Sequence, residues 1–196
     1  MKKIFTIAAI LAGTFMFAQD NDSNSNTKSE HKKIPGRNIS ARGMYSEPSQ
    51  WGLSFEFGGS EYRWAKSSYV ANVSYGTMNY ETDIFDVDGQ GFAIELGKKT
   101  YYSKGDELTG VYTANYLSYG NVNFDENISL GEFDGTYSYF SFFSPEVGYK
   151  MNFGGFTIDP FIGIMWKIEV KGKGDIDNKN VDEWTPRAGI KIGYSF

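Results

Sequence analysis

The chain has no cysteine among its 196 residues and only one histidine, His31. Without cysteine, a disulfide framework, a thiolate metal site and a cysteine nucleophile are all excluded. One histidine leaves little material for general acid–base chemistry, and no pair of acidic residues stands out as an alternative. We therefore expect a protein without enzymatic activity and without catalytic residues.

Excess positive charge is also lacking, because the net charge is −5 and the isoelectric point is about 5.0. This balance argues against a nucleic-acid partner. Two acidic segments, at residues 83–89 and 175–183, do not have the ligand spacing of an EF-hand. Asp and Asn also favour turns, so we interpret both segments as solvated loops and expect neither a metal ion nor a cofactor.

Long apolar runs are absent after residue 18, so the sequence predicts no membrane-spanning helix. The apolar run at residues 4–17 follows Lys2 and Lys3 and is followed by Ala18, which is the pattern of a cleaved secretory signal. Residues 19–35 are polar and lack any hydrophobic period, which predicts a flexible leader, with a short binding tail as the alternative. Residues 36–196 then form one domain.

Aromatic residues and glycine, by contrast, are abundant. Aromatic side chains make up 17% of the chain and there are 23 glycines, although the mean hydropathy is −0.42. Many aromatic residues in a chain that is polar on average are hard to place in a soluble core. They fit a β-barrel whose outer face contacts lipid while its interior stays polar.

Apolar residues alternate with polar ones over most of the domain, which predicts β-strands. At residues 156–171 every even position is apolar and most odd positions are polar, small or charged. Sixteen residues are long for a soluble strand but suit a tilted strand that crosses a membrane. Similar segments lie at residues 51–58, 69–76, 92–97 and 137–152. A less regular one lies at 108–119, where Val111 and Leu117 fall on the polar face.

The connections between these segments predict the strand count. Short connections at residues 103–107 and around Gly154 and Gly155 alternate with long ones at 81–89, 123–135 and 172–183. Such alternation is typical of an up-and-down barrel with two unlike ends, and an even count then requires a first strand at residues 37–45. The sequence thus predicts eight strands. Pro145 and Pro160 predict local bulges.

The last segment, residues 184–196, alternates and ends on Tyr194 and Phe196. In size, pattern and ending the chain resembles the small OmpA/OmpX-like outer-membrane β-barrels, including porin-like "outer membrane protein β-barrel domain" proteins. The resemblance implies an all-β, transmembrane, antiparallel barrel in the outer membrane of a Gram-negative bacterium. It also implies contact with lipid and lipopolysaccharide, and insertion by barrel-assembly machinery and periplasmic chaperones. Tyr194 and Phe196 would form the insertion signal.

The polar faces of the strands predict a charged interior. Its charges are five acids and six bases: Glu56, Glu95, Glu146, Asp159 and Glu169 against Lys99, Lys150, Lys167, Lys171, Arg187 and Lys191. An eight-stranded barrel is just wide enough for side chains to fill it, so these charges are expected to pair. Phe140, Phe142, Phe161 and Met165 also lie on the predicted inward face and favour a closed interior.

These observations favour a non-enzymatic outer-membrane barrel that serves envelope integrity or surface interaction through its loops, which could contact an extracellular ligand. Two alternatives stay open. One is a narrow porin-like channel for small solutes. The other is a soluble periplasmic, lipocalin-like binding barrel, in which the apolar faces would point inward.

Overall fold

The computed structural model describes residues 32–33, 36–62, 65–81, 86–103, 107–128, 131–174 and 181–196. The predicted signal lies outside these residues. So does the predicted leader, apart from Lys32 and Lys33. The strands are β1 (Lys32–Lys33), β2 (Arg37–Tyr45), β3 (Ser49–Tyr62), β4 (Ala65–Glu81), β5 (Asp86–Tyr101), β6 (Gly110–Ile128), β7 (Gly131–Phe143), β8 (Pro145–Phe153), β9 (Phe156–Gly174) and β10 (Trp184–Ser195).

The strands form one antiparallel sheet whose pairings close on themselves. From β2 the pairings run through β3, β4, β5, β6, then β7 and β8, then β9 and β10, and β10 pairs back to β2. Strand β2 confirms the first strand that parity predicted at residues 37–45. Within the described residues the ring holds nine strands, where the sequence predicted eight. Strands β7 and β8 share one position, because each pairs with both β6 and β9.

The break between β7 and β8 lies at Ser144, directly before Pro145. Pairing of β7 with β9 shifts register between Phe140 and Phe143, so the irregularity predicted near Pro145 is confirmed. The bulge predicted at Pro160 is wrong. Strands β8 and β9 keep one register on both sides of it, and Pro160 also lies opposite Ile190 in regular pairing with β10.

The two faces of the sheet have the reverse of the usual distribution of polarity. Outward positions carry exposed apolar side chains on every strand from β2 to β10, and Ile162 and Leu96 are among the most exposed. Inward positions carry buried polar and charged side chains. Because successive residues of a strand point to opposite faces, the alternation of the sequence becomes this division directly.

Two of the three connections that the sequence predicted to be long are short in the structure. Strands β4 and β5 pair as far as Glu81 and Asp86, and β6 and β7 pair as far as Ile128 and Gly131. The long loops predicted at residues 81–89 and 123–135 are therefore mostly strand. The turn at Gly154 and Gly155 is confirmed. The expected alternation of short and long connections is not found.

Two buried apolar clusters fill the ring near its two ends. We call the end that holds Arg37 and Phe196 the terminal end, and the opposite one, with the β2–β3 and β4–β5 connections, the distal end. The distal cluster consists of Met78, Tyr80, Val87, Val122, Phe124, Phe133, Tyr137, Tyr139, Met165 and Val181. The terminal cluster consists of Val70, Tyr101, Leu108, Tyr112, Ala114 and Tyr116.

Several aromatic residues face the opposite way from the sequence-based assignment. Phe161 and Met165 point inward as predicted, but Phe142 packs against the outward Trp166, with ring centroids 5.3 Å apart. The register shift before Ser144 reverses the alternation there. As a result Tyr137 is buried inside the ring and not on the outer face.

Strand β6 is also reversed relative to its predicted faces: Val111 and Leu117 are exposed, and Tyr112 and Tyr116 are buried. Among the described residues, no helix is long and apolar enough to span a membrane.

Candidate functional site in the interior of the ring

Nine of the eleven interior charges predicted from the sequence are buried in the structure. The buried ones are Glu56, Glu95, Lys99, Glu146, Lys150, Asp159, Lys167, Arg187 and Lys191. Glu169 is only partly buried and forms no ion pair with the described residues. The side chain of Lys171 lies outside the part of the chain that the structure describes. Glu169 lies on β9 next to Val170, where the pairing with β7 shifts register and the strand loses its regular alternation.

Near the terminal end, two carboxylates and two lysines form what we call the terminal charge cluster. Lys99 Nζ lies 2.6 Å from Asp159 Oδ2 and 3.6 Å from Glu56 Oε2. Lys150 Nζ lies 2.8 Å from the same Glu56 oxygen. The other Glu56 oxygen accepts hydrogen bonds from the hydroxyl of Tyr101, at 2.6 Å, and from Ser68. Every carboxylate of this cluster is thus paired and hydrogen-bonded, as buried charges require.

Toward the distal end, two guanidinium groups share Glu95. Arg42 Nη2 lies 2.9 Å from Glu95 Oε2, and Arg187 Nη2 lies 2.8 Å from Glu95 Oε1. The amide of Asn72 and the hydroxyl of Ser118 also donate to this carboxylate, at 2.9 and 3.2 Å. Charge-assisted hydrogen bonds from four donors hold Glu95 in one position.

Glu146 completes the distal charge cluster, which we define as Arg42, Arg187, Lys191, Glu95 and Glu146. Lys191 Nζ lies 2.8 Å from Glu146 Oε1, and Arg187 Nη2 lies 3.9 Å from Glu146 Oε2. The cluster therefore contains three cations and two carboxylates, all fully buried.

The hydroxyl of Tyr112 joins the two charge clusters. It lies 3.0 Å from Glu146 Oε1 and 2.6 Å from Asp159 Oδ1, and its ring lies 4.0 Å below the ammonium group of Lys99. Sequence analysis missed this residue because a large aromatic side chain was read as facing lipid. Its polar hydroxyl, which usually finds a partner when buried, was the signal that could have found it.

Two buried cations were also missed, Arg42 and Lys66. With them, the buried charged side chains of the described residues comprise four acids (Glu56, Glu95, Glu146 and Asp159) and seven bases (Arg42, Lys66, Lys99, Lys150, Lys167, Arg187 and Lys191). The near balance predicted from the sequence is thus replaced by an excess of positive charge.

Lys167 lies apart from both charge clusters, beneath the β2–β3 connection. Its ammonium group is fully buried and lies 3.8 Å from Glu47 Oε2 and 5.9 Å from the centre of the Tyr137 ring. It therefore lies beside the distal apolar cluster and outside the two charge clusters.

A cavity of about 220 Å³ lies at the terminal end, and its lining includes Glu56, Lys150, Asn38, Leu108 and Phe196. The described residues contain no group of acidic or histidine side chains placed to hold a metal ion. The arrangement gives every buried carboxylate at least one cation as a partner. The charged groups of the two charge clusters form ion pairs with one another. Of these groups, Lys150 and Glu56 border the cavity.

No protein-family model matches the chain, and no curated protein matches it. Among solved structures, the chain is similar to the N-terminal β-barrel domain of OprF from Pseudomonas aeruginosa. The identity is 14%, the match covers 83% of this chain and 100% of that one, and the TM-score is 0.42.

Proposed function

We propose that the protein is a non-enzymatic outer-membrane β-barrel with an interior filled by side chains, which serves envelope integrity and surface interaction through its distal end. The observation that carries the proposal is the reversed polarity of the sheet: exposed apolar side chains surround the ring, while its charged side chains are buried inside. Monomeric soluble proteins rarely expose contiguous apolar surface on this scale, whereas lipid requires it.

The spacing of outward aromatic residues supports a membrane of ordinary thickness. Phe156 on β9 is the cross-strand partner of Tyr194 on β10, and Trp166 on β9 is the partner of Trp184 on β10. The two pairs are ten residues apart along each strand. Ten residues at about 3.3 Å each, tilted by about 45°, span about 23 Å along the membrane normal. This is close to the apolar band of about 25 Å that outer-membrane barrels present between their aromatic girdles.

The distal end is the part of the molecule suited to the cell exterior. Strand β3 ends its pairing with β4 at Thr77, whereas β4 and β5 stay paired to Glu81 and Asp86. The outward face of this projecting part is polar, with Asn79 donating to Asp88. We propose that the projecting part of β4 and β5, together with the connections at the distal end, contacts molecules outside the cell.

The C-terminal strand supports insertion by the barrel-assembly machinery. Tyr194 and Phe196 are 56% and 64% exposed on the outer face, so both rings are available to a partner. The backbone of Phe196 exchanges two hydrogen bonds with Arg37, at 3.2 and 2.9 Å, where the ring closes. We propose that Tyr194 and Phe196 form the insertion signal and that an N-terminal signal directs export.

The two alternative functions lack this support. A lipocalin-like binder would expose a polar outer face, but the outer face of this ring is apolar and its interior holds buried charged side chains. A channel would need a continuous path, but buried apolar, aromatic and ion-paired side chains occupy the described interior.

Cell fractionation combined with gel mobility tests the proposed location. The protein is expected in the outer-membrane fraction, with a different mobility before and after boiling, because a closed barrel resists detergent until heated. Recovery as a soluble periplasmic protein with one mobility would refute the proposal.

A further inference from the structure

The seam of the ring, where the first strand β2 meets the last strand β10, carries positive charge alone on its inner side. The inward charges of these strands are Arg42 on β2 and Arg187 and Lys191 on β10, and neither strand contains an Asp or a Glu. Arg42 and Lys191 are direct cross-strand partners. Like charges placed directly opposite one another destabilise strand pairing, and burial makes their repulsion stronger.

The carboxylates that neutralise the seam come from other parts of the ring. Glu95 lies on β5, the strand opposite β10, and binds Arg42 and Arg187 at 2.9 and 2.8 Å. Glu146 lies on β8 and binds Lys191 at 2.8 Å. Each cation of the seam therefore reaches across the interior to a carboxylate on a strand that is not part of the seam.

We infer that Glu95 and Glu146 control closure of the ring. Strands β2 and β10 can pair stably only when β5 and β8 already present their carboxylates to the interior. Glu95 and Glu146 are in this sense positioning residues that make closure the last step of assembly. The inference depends on the sheet alone and holds whether or not the outer face contacts lipid.

A pair of cysteines across the seam can report its closure, since the chain has no cysteine of its own. Ala41 and Ile192 are outward cross-strand partners in the seam, and Leu53 and Val73 are outward partners between β3 and β4. Paired Cα atoms about 4.5–5.5 Å apart allow a disulfide. Ala41→Cys with Ile192→Cys is the seam reporter, and Leu53→Cys with Val73→Cys is the matched control.

The experiment measures the rate of disulfide formation during refolding from urea into detergent micelles, with and without Glu95→Gln. We expect Glu95→Gln to slow formation of the seam disulfide by about tenfold or more, because two buried cations lose their partner. The control disulfide should form at its original rate. An unchanged seam rate, or equal losses at both positions, would overturn the inference.

A compensating variant separates repulsion at the seam from general loss of structure. Adding Arg42→Met and Arg187→Met to Glu95→Gln removes both cations that Glu95 binds in the native protein, so the seam disulfide should again form at nearly the original rate. If Glu95→Gln alone does not fold, recovery of seam closure in the compensated variant still supports the inference, and failure to recover contradicts it.

Discussion

At the scale of single residues, tyrosine hydroxyls bind the same buried carboxylates that the cations pair with. Tyr101 donates to Glu56, and Tyr112 lies within hydrogen-bonding distance of both Glu146 and Asp159. A buried carboxylate needs more donors than one cation supplies, and phenol groups add them without adding charge. The aromatic rings also fill volume, so each of these residues contributes to packing and to neutralisation at once.

Tyr112→Phe is predicted to lower the free energy of unfolding by about 2–3 kcal/mol, because it removes the hydroxyl between two buried carboxylates. Urea unfolding of the protein in lipid vesicles, followed by tryptophan fluorescence, measures the change. Tyr149→Phe is the control, since that ring is 51% exposed on the outer face. Equal effects of the two substitutions would contradict the role of the Tyr112 hydroxyl.

At the scale of elements, the hairpin of β8 and β9 depends on its two-residue turn. Gly154 and Gly155 have φ angles of +65° and +102°, as in the tight turns that match the twist of paired strands. A Cβ atom on Gly155 would come within 2.7 Å of the Tyr194 ring, whereas one on Gly154 would meet no atom within 4 Å.

Gly155→Ala should therefore destabilise the protein by about 1–3 kcal/mol, the usual cost of a left-handed conformation in a residue with a side chain. Gly154→Asn should be nearly neutral, because Asn tolerates the left-handed region. Thermal or urea unfolding of both variants provides the comparison. A larger loss for Gly154→Asn would show that the turn is not as described.

The outward face of β9 gives a second prediction at this scale. Ile162 lies midway between Phe156 and Trp166 and is 67% exposed. Ile162→Arg should cost about 2–4 kcal/mol of folding free energy in lipid vesicles, since it places a charge near the middle of the bilayer. Thr77→Arg, an outward substitution at the distal limit of the pairing between β3 and β4, should cost much less. Similar costs would mean that Ile162 does not contact lipid.

The sequence predicts regular strands well and irregular ones poorly. Strand β9 keeps its outward face along most of its length, so plain alternation identified it. In β7 a register shift after Phe140 reverses the faces, and no periodic pattern reveals one extra residue. Tyr112 was misplaced for a different reason, because the sequence alone does not distinguish a tyrosine that contacts lipid from one that binds a buried carboxylate.

At the scale of the whole molecule, closure of the sheet and filling of its interior depend on each other. The ring has no free edge between β2 and β10, and its narrow interior brings side chains from opposite walls within hydrogen-bonding distance. The distal apolar cluster fills one end, and the rings of the terminal apolar cluster pack among the charged side chains.

The filled interior predicts that the purified protein will not conduct ions steadily. Single-channel recording in planar bilayers should show no sustained openings above background, because the distal apolar cluster and the ion pairs occupy the cross-section. A protein whose interior is open is expected to give stable current steps, and such steps would support the porin-like alternative instead.

Contact between the outer face and lipid is tested most directly by tryptophan quenching in vesicles of brominated phosphatidylcholine. Trp51 and Trp184 are 61% and 54% exposed on the outer face, and Trp166 stacks on Trp184. A Trp64→Phe variant limits the signal to these three. Strong quenching relative to unbrominated vesicles is predicted. Fluorescence that is the same in both vesicles, from a protein that folds without lipid, would contradict the proposed membrane barrel.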